Sequence, residues 1–325
     1  MSLTPSRSLG TSPRGLDCQH PLVSTPSFVT HSSSIRRALD LLDCFAAGND
    51  TVLLEGESGT GKSYFARALH ARSSRASQTF GSLNLGELDD ALASSELFGH
   101  VRGAFTGADR TREGAFAASA GGTLLLDELG KASLSVQRKL MHVMEQRELR
   151  PVGSDRYVRV DVRLVFATNV SLARLVAGGM VLPDFDFRVG LMCVSLPPLR
   201  KRRADISELV ATCIAEAAPE YGYSEELPDV DANLMEALHL ARWPGNHREL
   251  EATLRRILAV ARRSRLLSLA QCDGKLAYLR RLVDGRVGRS SAEAVAELEA
   301  AGGNYTRAAR KCGISATQFR RRISA

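Results

Sequence analysis

The chain has 325 residues, 44% of them apolar and 24% charged, and a formal net charge of +7. That length allows two or three compact units with a sizeable core. There is no run of about 18 uncharged apolar residues, which excludes a transmembrane helix.

Residues 1–25 are rich in Ser, Pro and Thr and lack the apolar segment of a signal peptide. They read as a flexible tail. The six cysteines are scattered and form no CxxC pair. That pattern suits a reducing, cytoplasmic setting and argues against disulfides and zinc.

An α/β unit is predicted over 26–200. Its first strand is the apolar run from Asp50 to Glu55, followed by the loop GESGTGKS and a helical stretch from Lys62. Strand, glycine loop and helix in this order make a phosphate cradle. Gly56, Glu57, Ser58, Gly59, Thr60, Gly61, Lys62 and Ser63 are its residues. The glycines let backbone N–H groups point inward, and the helix adds its positive end. Lys62 would reach the β- and γ-phosphates of ATP, and Ser63 would hold Mg2+.

The stretch ELFGHVRGAFTGADR follows. Its centre, Gly103, Ala104, Phe105, Thr106, Gly107 and Ala108, carries glycines too close together for a stable strand or helix. It also holds a phenylalanine with no local place to bury.

GGTLLLDELG supplies the second half of a nucleotide site. Asp127 falls at the carboxyl edge of an apolar strand, where it would hold the metal. Glu128 is placed to polarise an attacking water. A third strand, VDVRLVFATN, ends in Thr168 and Asn169, a polar pair that could sense the γ-phosphate or position the water. Together these strands predict a parallel sheet that binds nucleotide at its carboxyl ends.

Residues 201–265 turn helical, with apolar residues at helical spacing from Ile206 and an Asp231 cap before a second helix. Residues 266–289 read as a linker with one short helix. Residues 290–325 read as three helices, Ser291–Ala301, Tyr305–Cys312 and Ala316–Ile323, broken at Gly302-Gly303 and Gly313. This is helix-turn-helix spacing. From Arg286 onward there are eight Lys/Arg and three acids, a +5 footprint suited to nucleic acid. The third helix would enter the major groove, with Ser315, Thr317, Gln318 and Arg321 as base readers and Arg320 and Arg322 on phosphates.

The phosphate loop, GAFTGA, GGTLLLDEL, ATN and WPGNHREL, in this order, resemble one family. It is the AAA+ ATPases that activate sigma-54 RNA polymerase, the bacterial enhancer-binding proteins. The resemblance covers about 27–264, and the terminal helices resemble the Fis-like domain of the same activators. It implies an α/β AAA+ P-loop NTPase, a parallel sheet with flanking helices, plus a helical lid and a C-terminal Fis-like helix-turn-helix. By this resemblance Asn84 links Glu128 to nucleotide state, and Thr168 and Asn169 form sensor I. Arg248 is the sensor II arginine of the lid, and Arg188 is an arginine supplied in trans. The position of a first trans arginine, six residues earlier, is Leu182 here. Residues 103–108 would present Phe105 and Thr106 to sigma-54.

An arginine in trans implies a ring, a hexamer in this family, of one chain or shared with a paralogue. The implied partners are sigma-54 RNA polymerase holoenzyme and upstream enhancer DNA, with no membrane. The ATPase unit begins near residue 26, so no receiver domain is expected before it. That layout resembles the Hrp type, which switches on type III secretion genes, and the phage-shock type, which an inhibitor protein holds off. The competing readings are a phage-shock activator, a DNA-binding regulator whose residual ATPase does not act on sigma-54, and another AAA+ remodeller, such as a chelatase or chaperone component, whose terminal basic helices bind protein.

Overall fold

The apolar runs of the N-terminal two-thirds become the strands of one sheet, with helices filling the stretches between them. In the computed structural model the described residues are 15–19, 30–223, 226–261, 263–280, 282 and 298–299. They fall into two units that divide between Arg202 and Arg203.

The first unit runs β1 (Asp17–Gln19), α1 (Ser33–Ala46), β2 (Val52–Glu55), α2 (Lys62–Ala71), β3 (Phe80–Asn84), α3 (Asp90–Phe98), α4 (Ala115–Ala118) and β4 (Thr123–Asp127). It continues through α5 (Leu134–Gln146), β5 (Glu148–Leu149), β6 (Val158–Arg159), β7 (Arg163–Thr168), α6 (Leu172–Ala177), α7 (Pro183–Val189) and β8 (Cys193–Ser195). The large sheet has the order β1-β3-β4-β7-β2-β8. All its pairings are parallel except β1 with β3.

Strand alternation divides the core between the two sheet faces. Leu124, Leu126, Leu164 and Phe166 pack with Leu97, Leu140 and Phe185 on one face. Leu54, Leu125, Val165 and Ala167 pack with Leu42, Phe65 and Leu69 on the other. Both faces are therefore covered by helices, as a parallel sheet requires.

The register aligns the functional strand ends. Glu55 pairs with Thr168 and Asn84 with Asp127, while Leu126 pairs with Phe166. The carboxyl ends of β3, β4, β7 and β2 thus finish along one edge of the sheet.

Two stretches differ from the sequence expectation. Within the expected flexible tail, residues 17–19 form an edge strand on β3, and Asp17 pairs with Arg67 at 2.9 Å. The exposed edge of β3 offers unpaired backbone groups that a short strand can satisfy. Within the expected linker, Leu266–Leu267 pairs in parallel with Asp229–Val230 in the second unit.

That second unit contains α8 (Ile206–Ala217), β9 (Asp229–Val230), α9 (Ala232–Leu240), α10 (Asn246–Ala261) and β10 (Leu266–Leu267). Asp231 occupies the position before α9, but its side chain makes no cap hydrogen bond. Trp243 is 1% exposed and donates from Nε1 to Leu238 O at 2.8 Å. It anchors the chain entering α10, whose first turn carries Arg248.

Candidate functional site

The phosphate loop joins β2 to α2. Gly59 and Gly61 have φ values of 76° and 101°, a region that favours glycine. A Cβ at Gly56 would meet Thr60 Oγ1 at 2.8 Å and Leu196 O at 2.9 Å, so a side chain there has no room. Thr60 closes the loop by donating from N and Oγ1 to Glu57 O at 3.3 and 2.8 Å. Lys62 is only 8% exposed, and its Nζ donates to Gly56 O at 2.8 Å and Glu57 O at 3.2 Å. The ammonium is thereby held over the centre of the loop. Ser58 and Ser63 are exposed on it. A cationic cradle at a helix N-terminus is a donor set that fits a polyphosphate.

Two arginines that sequence reasoning missed grip this loop. Arg200 makes a two-pronged bond to the Glu57 carboxylate at 2.7 and 2.6 Å, and Arg202 Nη2 donates to Thr60 O at 3.1 Å. The signal available in the sequence was the basic run LRKRR just after the last strand.

At the end of β4, Asp127 Oδ1 accepts the backbone N–H of Glu128 at 2.8 Å. Glu128 adopts φ 58° and ψ 47°, a left-handed conformation uncommon for a residue with a side chain. A Cβ at Gly86 would run into the Glu128 carboxylate, so that glycine makes room for it. Asn84 lies on the neighbouring strand end. Its Nδ2 donates to Glu87 at 2.9 Å, and its Oδ1 accepts from Gly86 N at 2.9 Å. Asn84 and Glu128 therefore meet across Gly86, with Glu87 on the Asn84 amide.

Thr168 is 1% exposed. Its Oγ1 donates to Val170 O at 2.8 Å, and its carbonyl accepts from Gly56 N at 3.1 Å. It ties the tip of β7 to the phosphate loop, and the next residue, Asn169, is exposed. Leu182 packs on the core and donates its N–H to Gln137 Oε1 at 3.0 Å. The position at which the resemblance would place an arginine is thus a partly buried leucine against the core. Arg188, in α7, pairs with Glu145 at 2.9 Å with its side chain 53% exposed. Cys193 lies beside Glu55, and burial pushes its thiol up to about 11, with the Glu55 charge adding to the shift.

The GAFTGA stretch is a tight loop between α3 and α4. Gly103 N donates to Ala108 O at 2.8 Å, and Ala108 N to Phe105 O at 3.0 Å. Gly103 and Gly107 have φ values of 81° and 93°, and a Cβ at either would meet nothing within 4 Å. They are needed for backbone conformation, not for space. The loop's base is fixed: His100 exchanges backbone bonds with Arg112, and Val101 N donates to Val152 O at 3.1 Å. Beneath it Arg112 pairs at 2.8 Å with Glu96, whose side chain is fully buried. At the tip Phe105 is 46% exposed.

Residues 28–195 match the family described as the Sigma-54 interaction domain, and residues 200–277 match the AAA+ ATPase lid domain. The chain belongs to the sigma-54 activator family. The chain is 42% identical over 253 residues to the Nif-specific regulatory protein of Enterobacter agglomerans, covering 76% of this chain and 48% of that protein. It is 37% identical to the transcriptional regulatory protein ZraR of Klebsiella oxytoca, covering 91% and 69%. Among solved structures it resembles NtrX of Brucella abortus in complex with ADP, with a TM-score of 0.72 and 25% identity over 92% of this chain and 69% of that one. NtrX in complex with ATP gives a TM-score of 0.69 at 26% identity, over 93% and 70%.

The chain spans about half the length of the Nif-specific regulators it matches. Its fold is the AAA+ P-loop NTPase fold with a lid. Ser315, Thr317, Gln318, Arg320, Arg321 and Arg322 lie outside the described residues, as do the helices expected over Tyr305–Cys312 and Ala316–Ile323; of the helix expected over Ser291–Ala301 only 298–299 are described. No helix among the described residues is long and apolar enough to cross a membrane.

Proposed function

We propose that this chain is a cytoplasmic, sigma-54-dependent activator that hydrolyses ATP to remodel the closed RNA polymerase–promoter complex. The observation that carries this reading is the GAFTGA loop. Its base is locked into the segment joining β3, which ends in Asn84, to β4, which ends in Asp127. Its phenylalanine is offered to solvent.

In this reading Gly56 to Ser63 cradle the phosphates, with Lys62 on the β- and γ-phosphates. Mg2+ held by Ser63 and Asp127 would neutralise charge between phosphate oxygens. Glu128 orients the attacking water, Thr168 and Asn169 register the γ-phosphate, and Asn84 relays that state through the Gly86 turn. Arg188 completes the site of a neighbouring copy, and Arg248 acts from the lid. The ring is a hexamer, of this chain alone or shared with a paralogue. Residues 103–108 contact sigma-54, and the helix-turn-helix of 290–325 holds upstream DNA. We place the chain with the Hrp type, acting on type III secretion genes. The phage-shock type, under an inhibitor protein, is the second reading.

The test is open-complex formation at a sigma-54 promoter with the purified chain and ATP. Lys62→Ala should abolish opening and ATP hydrolysis together. Thr106→Ala should abolish opening and leave hydrolysis in place. Opening that survives Thr106→Ala would sink the assigned role of the loop. Genome-wide mapping of bound sites should place them upstream of sigma-54 promoters of secretion genes.

A further inference from the structure

A cavity of about 450 Å³ lies between α5 and the 149–157 turn. Phe98, Val143 and Leu149 form a buried apolar floor. Arg138 and Arg150 stand exposed at the rim, and no carboxylate lines the cavity. Arg138 has no ion-pair partner among the described residues. Arg150 has only a loose pair with Asp155 at 4.0 Å, with side chains 55% and 105% exposed. Inside, His142 packs on Tyr157 with ring centroids 5.3 Å apart, and its Nε2 is buried without a hydrogen-bond partner. A buried polar atom left without a partner calls for an explanation, and a ligand group is one.

We propose that this cavity docks an acidic peptide segment bearing one bulky apolar side chain. The chemistry selects that occupant. Arginines at an open rim recognise carboxylates, and an apolar floor beneath them requires an apolar group inserted between those carboxylates. A duplex DNA backbone satisfies the cations and leaves the floor empty. His142 would serve as the polar contact within.

The site also adjoins the GAFTGA loop. A Cβ at Gly153, which lines the cavity, would meet the Ala104 Cβ at 2.6 Å, so this wall and the loop are in close contact. A segment filling the cavity would therefore press on the support of the loop.

The inference stands apart from the ATPase reading, and its test separates the two. A fluorescein-labelled Asp-Glu-Phe-Asp-Glu peptide is titrated with the full chain by anisotropy. Saturable binding is expected, weakened about tenfold or more in Arg138→Ala/Arg150→Ala, equivalent to the loss of one good charged contact. It should weaken likewise when the peptide's Phe is replaced by Ala. Binding by Lys62→Ala should match the unmodified chain, and the double variant should keep its ATPase rate and melting temperature. Absence of saturation, equal binding by the double variant, indifference to the peptide's Phe, or displacement by duplex DNA in preference to unlabelled peptide would each overturn the proposal.

Discussion

Phe105 rests edge-on against His100, with ring centroids 4.9 Å apart and an interplanar angle of 65°. His100 is 7% exposed, and its Nδ1 shares a 2.7 Å hydrogen bond with Ser95 Oγ on α3. The ring beneath Phe105 is therefore fixed by side chain and backbone alike, while Phe105 itself sits on a loop of glycines. An aromatic pair of this kind is worth about 0.5–1.5 kcal/mol beyond its buried area. That is enough to favour this position of the Phe105 ring and small enough to be given up at little cost.

Removing the ring should release the loop. His100→Ala is expected to raise sigma-54 binding in the absence of nucleotide by about two- to tenfold, the equivalent of one aromatic pair. Ser95→Ala, which only loosens the ring, should give a smaller rise. Both are read by anisotropy of labelled sigma-54, with ATP hydrolysis followed in parallel. Unchanged nucleotide-free affinity in His100→Ala would show that Phe105 is not restrained there.

Arg200 and Glu57 make a second prediction. Their paired bonds at 2.7 and 2.6 Å join the phosphate loop to the Leu199–Lys201 turn. Both side chains are near 40% exposed, so the pair adds little to global stability. Arg200→Ala should leave the melting temperature in place and raise the KM for ATP, because the loop loses a positioning contact. Exchanging the two charges, Arg200→Glu with Glu57→Arg, should recover part of that KM. A fall in melting temperature with KM unmoved would make the pair merely structural.

Thiol titration gives a pH-dependent outcome. Burial, the main cause at both sites, pushes Cys193 up to about 11 and Cys213 up to about 12 from an ordinary value of 9.0. The folded chain thus keeps protons that the unfolded chain releases above pH 9. Their contribution to stability is complete below that pH and is lost as pH rises through 11 to 12. Urea midpoints should fall between pH 9 and 11, less so in Cys193→Ser/Cys213→Ser. At pH 8 a thiol reagent should modify exposed Cys44 quickly and leave these two until the chain unfolds. Rapid native-state labelling of Cys213 would contradict its burial.

The features legible in the sequence were the ones whose signals are local. GESGTGKS sits between an apolar run and a helical run, and the strand, loop and helix follow in that order at β2 and α2. The exposed Phe105 was legible because its glycine neighbours deny it a local core. What could not be read depends on distant partners. The edge strand at Asp17–Gln19 exists because β3 leaves an edge open. Glu87 on the Asn84 amide and Arg202 on Thr60 O are set by how turns meet in space. The strand β10 is two residues long and pairs with another two-residue strand, too short for any periodicity to show.

Arg163 is the sharpest of these cases. An arginine at the start of a strand reads as an outward-facing charge, yet it is 0% exposed. Its Nη2 donates to Phe45 O at 2.6 Å, and Nη1 and Nε reach Ala46 O and Asp50 O at 3.4 Å. It satisfies the last carbonyls of α1, the groups a helix end leaves unpaired. Arg163→Met keeps the bulk and removes the guanidinium donors, leaving Phe45 O with only its backbone bond from Gly48 N at 3.2 Å. A loss of about 2 kcal/mol is expected, as for buried carbonyls that lose a charged donor. Chemical denaturation measures it, and a loss below about 1 kcal/mol would mean that water replaces the guanidinium.

Arg188 is held at 2.9 Å by Glu145 of its own chain, in a pair exposed enough to exchange partners at small cost. If it serves a neighbouring copy, it must leave Glu145 when the ring closes. Specific ATPase activity should therefore rise with protein concentration in the unmodified chain. Arg188→Ala should bind ATP normally and lose that rise, with a rate deficit of about 10³ or more, as for other arginines supplied in trans. Glu145→Gln removes the competing carboxylate, so its rise should begin at lower concentration. The unmodified monomer should hydrolyse ATP as slowly as the Arg188→Ala ring. If Arg188→Ala instead lowered the rate equally at every concentration, the arginine would be acting within its own chain, and the loss of the arginine at Leu182 would then leave the site without a trans contribution from α7.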